Sequence, residues 1–470
     1  MKSRFIPRPH LGSILSGEKT VVLGDRGAGK SALFRQIQRI AAQGGSAMPM
    51  LQLTPSSHLI VVTSAHPATV LQQLTVGEHS ASLADEFKAL WLLFAAALAA
   101  KTLQGRFMND GEAARRLERE TRKILESFVW SSAVKRGRLG QVLARLRRVF
   151  TAKVKFSVGP LTREPTVSTG GRDTAGARVD IDEFLERIDD TMSRHGDRLL
   201  VLFDQVDEAY KYQRDKQEPM IQGLMLAEAF VSQMRAIRLP VLLRTDLFEI
   251  YDIQEKNKFV SRMIRLEWTR QELLEFLVAR LCANPGLALL GKLLDRQPSQ
   301  AAAVDGVLRI IFPESVEGQL FSEWLFRGLR NGSDRVSPRQ IILFLNLCRD
   351  SAAAQVRIRS REAITPLFSE AHITEAMTRL SELSYEEIVS DFRVATAFVR
   401  NCRSGKIRDS ELDEVETLFN TDEGSISEQV ERLERLGFLE RRVIRHNDEL
   451  VSRFVIPALY TRCWERVALS

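Results

Sequence analysis

The stretch Gly24-Asp25-Arg26-Gly27-Ala28-Gly29-Lys30-Ser31 decides how the rest of the chain is read. It fits G-x-x-x-x-G-K-[ST], and its flanks are those the pattern needs. Thr20-Val21-Val22-Leu23 ahead of it is a short β-branched, apolar run that predicts a buried parallel strand. Behind it, Ala32-Leu33-Phe34-Arg35-Gln36-Ile37 carries apolar residues at helical spacing. Glycines between a strand and a helix let backbone N–H groups converge on phosphate oxygens, and the helix N-terminus adds partial positive charge. Lys30 contributes an ammonium and Ser31 a hydroxyl for Mg²⁺. The expected ligand is a nucleoside triphosphate, bound by Gly24, Asp25, Arg26, Gly27, Ala28, Gly29, Lys30, Ser31 and Ala32.

At 470 residues the chain exceeds one compact core, so two or three domains are expected. Hydrophobic content of 44% and charged content of 27% are ordinary for a soluble globular protein. Cys282, Cys348, Cys402 and Cys463 lie far apart with no Cys-x-x-Cys pair and no signal peptide in view, which predicts reduced thiols in a cytoplasmic protein. The longest apolar run, Ala89 to Ala100 between Lys88 and Lys101, is too short to span a bilayer and predicts a buried helix. A net charge of +7 permits nucleic-acid contact without demanding it. No His, Cys or carboxylate spacing points to a metal cluster, a nuclease centre or a Cys/His dyad.

A phosphate loop needs acidic partners at the end of a neighbouring strand. Leu199-Leu200-Val201-Leu202-Phe203 is a continuous apolar run, and Asp204-Gln205-Val206-Asp207-Glu208 follows it. Asp204 is placed to hold the Mg²⁺ hydration shell, and Asp207 or Glu208 to orient the attacking water. With these residues in place the chain resembles the AAA+ and STAND branches of the P-loop ATPases. Many AAA+ proteins carry a glutamate where this chain has Gln205, and the D-x-h-D-E run is closer to the STAND pattern; the departure implies slow hydrolysis, not lost binding.

The same resemblance implies further roles. Leu239 to Asp246 reads as a buried strand ending in a first sensor, Arg244 or its neighbour Thr245. Met263 to Trp268 reads as a last strand, and Thr269 caps the helix Arg270 to Leu281 with Glu272 completing a capping box, the entry to an AAA+ helical lid. Ser337-Pro338-Arg339 opens another helix, with Arg339 in the second-sensor place or on the plain surface. Arg262 and Arg265 are the nearest choices for an arginine finger acting on a neighbouring subunit.

The expected fold is an α/β P-loop core of ASCE/AAA+ type over residues 1–268, with a helical insertion near 66–195. A helical lid over 269–365 and a winged helix over 366–470 follow. Within the insertion, Leu83 to Leu103 predicts one apolar helix and Gly111 to Phe128 a charged amphipathic one. The acid-free run Ser132 to Lys155 reads either as a basic helix for nucleic acid or an acidic partner, or as a solvated face balanced by later acids. Thr162 to Arg178 reads as a glycine-rich loop, and the stretch near Asp295 to Asp305 as a loose segment of the lid.

At the C-terminal end, helices from Ser410 to Phe419 and from Ser425 to Leu436 precede strands at Phe438–Val443 and Arg453–Ile456. Glu428, Glu431 and Glu434 on the second helix oppose phosphate, while Arg441, Arg442 and Arg445 near the wing favour it; a protein-contact role stands ahead of DNA reading. The resemblance implies an oligomerising switch ATPase that binds ATP and Mg²⁺ and controls a separately encoded effector, as in anti-phage defence. The alternatives are a DNA-binding initiator, loader or transposition regulator, and a nucleotide-stabilised structural subunit.

Overall fold

The computed structural model describes residues 10–42, 58–64, 83–103, 180–211, 213–287, 300–355, 366–391, 396–404, 425–446 and 449–464, with short pieces within 111–121 and at 290, 409–411 and 419. The expected basic run at 132–155 and glycine-rich loop at 162–178 lie outside the described residues. The chain divides into two compact units. One gathers Pro7–Gly24 and Gly29–Leu266, the other Asp25–Ala28 and Glu267–Ser470.

The first unit is built on strands β1 (Val21–Gly24), β2 (Leu59–Ser64), β3 (Arg198–Phe203), β4 (Ile237–Arg238), β5 (Val241–Arg244) and β6 (Met263–Arg265). They run parallel in the order β2-β3-β5-β1-β6, with β4 beside β3. Strands with apolar residues on both faces pair this way because helices cover both sides of the sheet. The β1–β5 register sets Val21 against Val241 and Gly24 against Arg244, so the glycine loop starts beside the end of β5. The last strand stops at Arg265, short of the expected Trp268.

Its helices are α1 (Leu11–Leu15), α2 (Lys30–Ala42), α3 (Leu83–Leu103), α4 (Ile181–Arg194), α5 (Arg214–Val231) and α6 (Thr245–Ile250). Helix α3 is the expected apolar helix with the expected bounds, apolar on every side and buried. Phe94 stacks on Phe203 of β3 at 5.2 Å between ring centroids. Trp91 donates its indole N–H to the Met220 carbonyl of α5 at 3.1 Å, which satisfies a polar group that burial would otherwise penalise. Helices α3 and α5 approach closely because Gly223 has no side chain: a Cβ there would stand 2.5 Å from Phe87 Cβ and 2.7 Å from the Ala84 carbonyl. Asp189 of α4, buried, accepts from the backbone N–H groups of Arg235, Ala236 and Ile237 at 2.6 to 2.9 Å and so seats β4.

The second unit begins with α7 (Arg270–Cys282), whose Thr269–Glu272 capping box is formed as the spacing predicts. Helix α8 (Gln300–Ile311) occupies part of the expected loose stretch; the run Ala301-Ala302-Ala303-Val304 favours helix over loop once Val304, Val307, Leu308 and Ile311 have a core to enter. The short hairpin β7 (Ser315–Val316) and β8 (Gln319–Leu320) leads to α9 (Phe321–Leu329), α10 (Pro338–Gln355), α11 (Glu370–Asp391) and α12 (Thr396–Ser404). Phe312, Phe321, Trp324, Phe344 and Phe368 form an aromatic centre, with Phe312 and Phe321 stacked at 4.2 Å.

The chain then forms β9 (Asp409–Glu411), α13 (Ile426–Arg435), β10 (Glu440–His446), β11 (Glu449–Val455) and α14 (Ala458–Thr461). The sheet order β10-β11-β9, antiparallel throughout and with α13 ahead of the hairpin, is a winged-helix arrangement. Ser410 lies inside β9, paired with Phe454 across the sheet, and residues 412–418 of the helix expected to follow it lie outside the described residues. The first wing strand starts at Glu440, two residues after the expected Phe438, because Phe438 and Leu439 bond back to Leu433 and close the end of α13.

Candidate nucleotide site

In the first unit the site residues stand at the carboxyl ends of the parallel strands, where open α/β sheets bind ligands. Strand β1 is fully buried through Val21, Val22 and Leu23, so its end is a fixed point for the loop. Gly29 has φ of +109°, a conformation a side chain would strain, and the Gly29 carbonyl accepts from Leu33 N at 2.9 Å to start α2. Lys30 donates from Nζ to the Gly24 carbonyl at 2.6 Å. Ser31 Oγ donates to Asp204 Oδ1 at 3.1 Å, with Asp204 buried at the end of β3. A serine hydroxyl and a carboxylate at this separation form the hard-oxygen pair that Mg²⁺ takes, so the donor chemistry fits that ion. Among the described residues no larger cluster of His, Cys, Asp or Glu is suited to a metal.

Gln205 sits in the left-handed region at φ 55° and ψ 38°, and a short 3-10 turn carries Val206, Asp207 and Glu208. Arg244, at the end of β5, forks onto Asp246 with Nε to Oδ1 at 3.0 Å and Nη2 to Oδ2 at 2.6 Å, and stands 3.9 Å from Asp207 Oδ2. Burial would lower the Arg244 pKa, but Asp246, Asp207 and Glu208 outweigh it and hold the guanidinium above its ordinary value. Arg244 is a permanent cation beside the turn that carries the expected water-orienting acids.

Two expected finger arginines are also placed. Arg262 forks onto Glu228, which is 1% exposed, at 3.1 and 3.0 Å, and Thr20 Oγ1 donates to the same carboxylate. That makes Arg262 the counter-ion of a buried acid. Arg265 pairs with Glu249 at 3.0 Å on the open surface.

In the second unit the loop tip has its own partners. Arg335 holds both oxygens of Asp25, at 3.1 and 2.9 Å, and reaches Glu267 at 3.5 Å. Glu387 of α11 pairs with Arg26 at 2.9 Å and with Arg339 at 3.4 Å. Trp268 donates its indole N–H to the Ala28 carbonyl at 2.8 Å. Gly27, at φ 81°, lies against the start of α10, where a Cβ would meet Arg339 Cβ at 2.8 Å and Ser337 Oγ at 2.9 Å. Ser337 and Gln340 cap that start reciprocally, 2.7 Å from Ser337 N to Gln340 Oε1 and 3.3 Å back from Gln340 N to Ser337 Oγ. Arg335, Glu387 and Gln217 carry no sequence signal of their own, since isolated charged or amide residues on helices and loops are ordinary surface residues.

On the wing, Arg441 forks onto Glu434 at 2.7 and 3.0 Å and Arg442 onto Glu440 at 2.8 and 3.1 Å, while Arg435 pairs with Glu431. Of the three expected cations of the wing, Arg441 and Arg442 are engaged by acids of the same module.

A glycine loop between β1 and α2, an acid ending β3, and the order β2-β3-β5-β1-β6 together define a P-loop core of the AAA+ type, followed here by helices and a winged helix. No protein-family model matches the chain, and no curated protein matches it in sequence. Among solved structures it is similar to the ORC2 protein of Aeropyrum pernix in its ADPNP–ADP complexes, at 13% identity over 98% of this chain and 90% of that one, with a TM-score of 0.40. It is also similar to the ORC1 protein of Aeropyrum pernix in complex with DNA, at 12% identity over 99% and 95% of the two chains, with a TM-score of 0.39. These likenesses are distant, and the fold class rests on the sheet order and the loop.

Proposed function

We propose that the chain is an ATP-binding switch ATPase of the initiator type. The observation that carries this reading is the Ser31–Asp204 pair, 3.1 Å apart at the ends of α2 and β3, beside Lys30. Lys30 and the loop N–H groups bind the phosphates, and Ser31 and Asp204 would hold Mg²⁺, which supplies charge neutralisation on the triphosphate when bound. Asp207 or Glu208 orients water, with the Arg244 guanidinium 3.9 Å from the Asp207 carboxylate. Gln205 in place of a second acid next to Asp204 makes turnover slow. Arg339 senses the nucleotide by leaving Glu387. Asp25 to Ala28 of the loop are held by Arg335, Glu387 and Trp268 of their own unit. Arg265 is the choice for contact with a neighbouring subunit, because Arg262 is committed to Glu228.

Nucleotide affinity and phosphate release of the wild type against Lys30→Ala and Asp204→Ala test the reading. Loss of a charge-assisted bond of about 1.5–3 kcal/mol predicts at least a tenfold weaker Kd for Lys30→Ala. For Asp204→Ala the expected result is affinity that no longer responds to Mg²⁺. Equal binding by all three proteins would sink the proposal.

A second reading, a DNA-directed ATPase, is favoured by the winged-helix topology itself. The ion pairs of Arg435, Arg441 and Arg442 and the acids of α13 oppose it electrostatically. Duplex binding titrated across salt separates the two, since phosphate contacts steepen the salt dependence. ATP-dependent binding that survives near physiological ionic strength would establish the DNA reading. A separately encoded effector and a role in defence rest on the sequence resemblance alone.

A further inference from the structure

The geometry points to Gln217 as a positioning residue for the acidic turn Asp204–Glu208, an inference that rests on the ATPase reading. Gln217 lies in the first turns of α5 and is 4% exposed. Its Nε2 donates to the Asp207 carbonyl at 2.8 Å and the Ala209 carbonyl at 3.1 Å, and its Oε1 accepts from Tyr251 Oη at 2.5 Å. The amide orientation is forced: two carbonyl oxygens only accept, so the nitrogen must face them, and the phenol proton then meets the oxygen. A flipped amide would set Oε1 against both carbonyls.

The turn needs such an anchor. Gln205 and Tyr210, at φ 55° and 52°, bracket it in the left-handed region without being glycine. Such residues persist only when their surroundings over-determine them. Asp204 is fixed by the sheet, its N–H donating to the Ser64 carbonyl at 3.0 Å, but Asp207 lies three residues further along the turn. Its main chain is held by Gln217 and its carboxylate faces Arg244. Gln217 touches neither the loop nor any phosphate-binding residue in the contacts described, so its loss should alter the placement of Asp207 and Glu208 and leave nucleotide affinity alone.

The test uses the full chain as wild type, Gln217→Met, Tyr251→Phe and the double variant. Steady-state phosphate release from Mg·ATP, Kd for a fluorescent ATP analogue, and amide exchange of the 204–210 backbone are measured on each. Gln217→Met is expected to lower kcat by about 10- to 100-fold, the range for a displaced reacting group, with Kd within about threefold. Tyr251→Phe should lower kcat less, and the double variant no more than Gln217→Met, because both act through one amide. Wild-type kcat in a folded Gln217→Met protein, or nucleotide affinity and kcat falling by the same factor, would overturn the inference. If Gln217→Met does not fold, Tyr251→Phe decides: lowered kcat at unchanged Kd supports it, unchanged kcat overturns it. If the wild type turns over no faster than Lys30→Ala, the ATPase reading fails instead. Exchange then decides the positioning claim: faster at 204–210 alone in the variant supports it, unchanged exchange overturns it.

Discussion

Tyr210 and Tyr251 stand at the edge of the acidic turn, and burial pushes both phenols up to about 12. A phenol whose folded pKa exceeds its unfolded value of about 10 contributes stability in full below that value. The contribution is lost as pH rises from about 10 through 12. The expected outcome is a midpoint of chemical unfolding that holds steady to near pH 10 and then falls, with less of the fall in Tyr251→Phe. Unfolding curves across pH 8 to 12 check it; equal slopes for wild type and variant would remove the phenol as the cause. The candidate site was partly legible at this scale. Lys30, Ser31 and Asp204 could be named because a glycine loop and a strand-ending acid are local signals. Gln217, Arg335 and Glu387 could not, because each acts on residues distant in sequence: Gln217 on a turn eight to ten residues earlier, Arg335 on Asp25 and Glu387 on Arg26.

At the scale of elements, the packing of α3 on α5 sets two effects of comparable size against each other at Gly223. Alanine gains about 1 kcal/mol over glycine in a helix interior. Here, however, its Cβ would stand 2.5 to 2.7 Å from Phe87 Cβ, the Ala84 carbonyl and Lys88 N, two of them backbone atoms that cannot swing aside. Overpacking of that kind costs roughly 1–3 kcal/mol. Gly223→Ala is therefore expected to destabilise by about 1–2 kcal/mol net, read as a lowered midpoint of chemical unfolding; a raised midpoint would contradict the packing described. Helix α3 was readable because an unbroken apolar run between lysines has few places to go but a core. Helix α8 was not, since its small, weakly periodic start looks like a loop until Val304, Val307 and Ile311 find partners.

At the scale of the whole molecule, the chain forms two compact units, with the phosphate-loop tip Asp25–Ala28 counted in the second. Ligand that binds only the folded state stabilises by about 2.7 kcal/mol at a hundredfold excess over Kd. Mg·ATP is thus expected to raise the thermal transition of the wild type more than that of Lys30→Ala. Arg335→Ala, which removes the fork onto Asp25, should keep nucleotide binding, with the Kd for a fluorescent ATP analogue unchanged from the wild type. The Asp25–Arg335 pair is itself partly exposed and contributes little to stability alone, on the order of 1 kcal/mol or less. By itself the sequence determined the strand–loop–helix unit, the acid-ended strand and the capped helices, because each is written in contiguous residues whose backbone preferences act locally. Only the tertiary structure decided which side chains hold the loop tip, what Arg262 and Arg244 bind, and how the acidic turn is braced. Apart from the local Arg244–Asp246 fork, those contacts join residues from eight to more than three hundred positions apart, and proximity of that kind exists only once the core has closed.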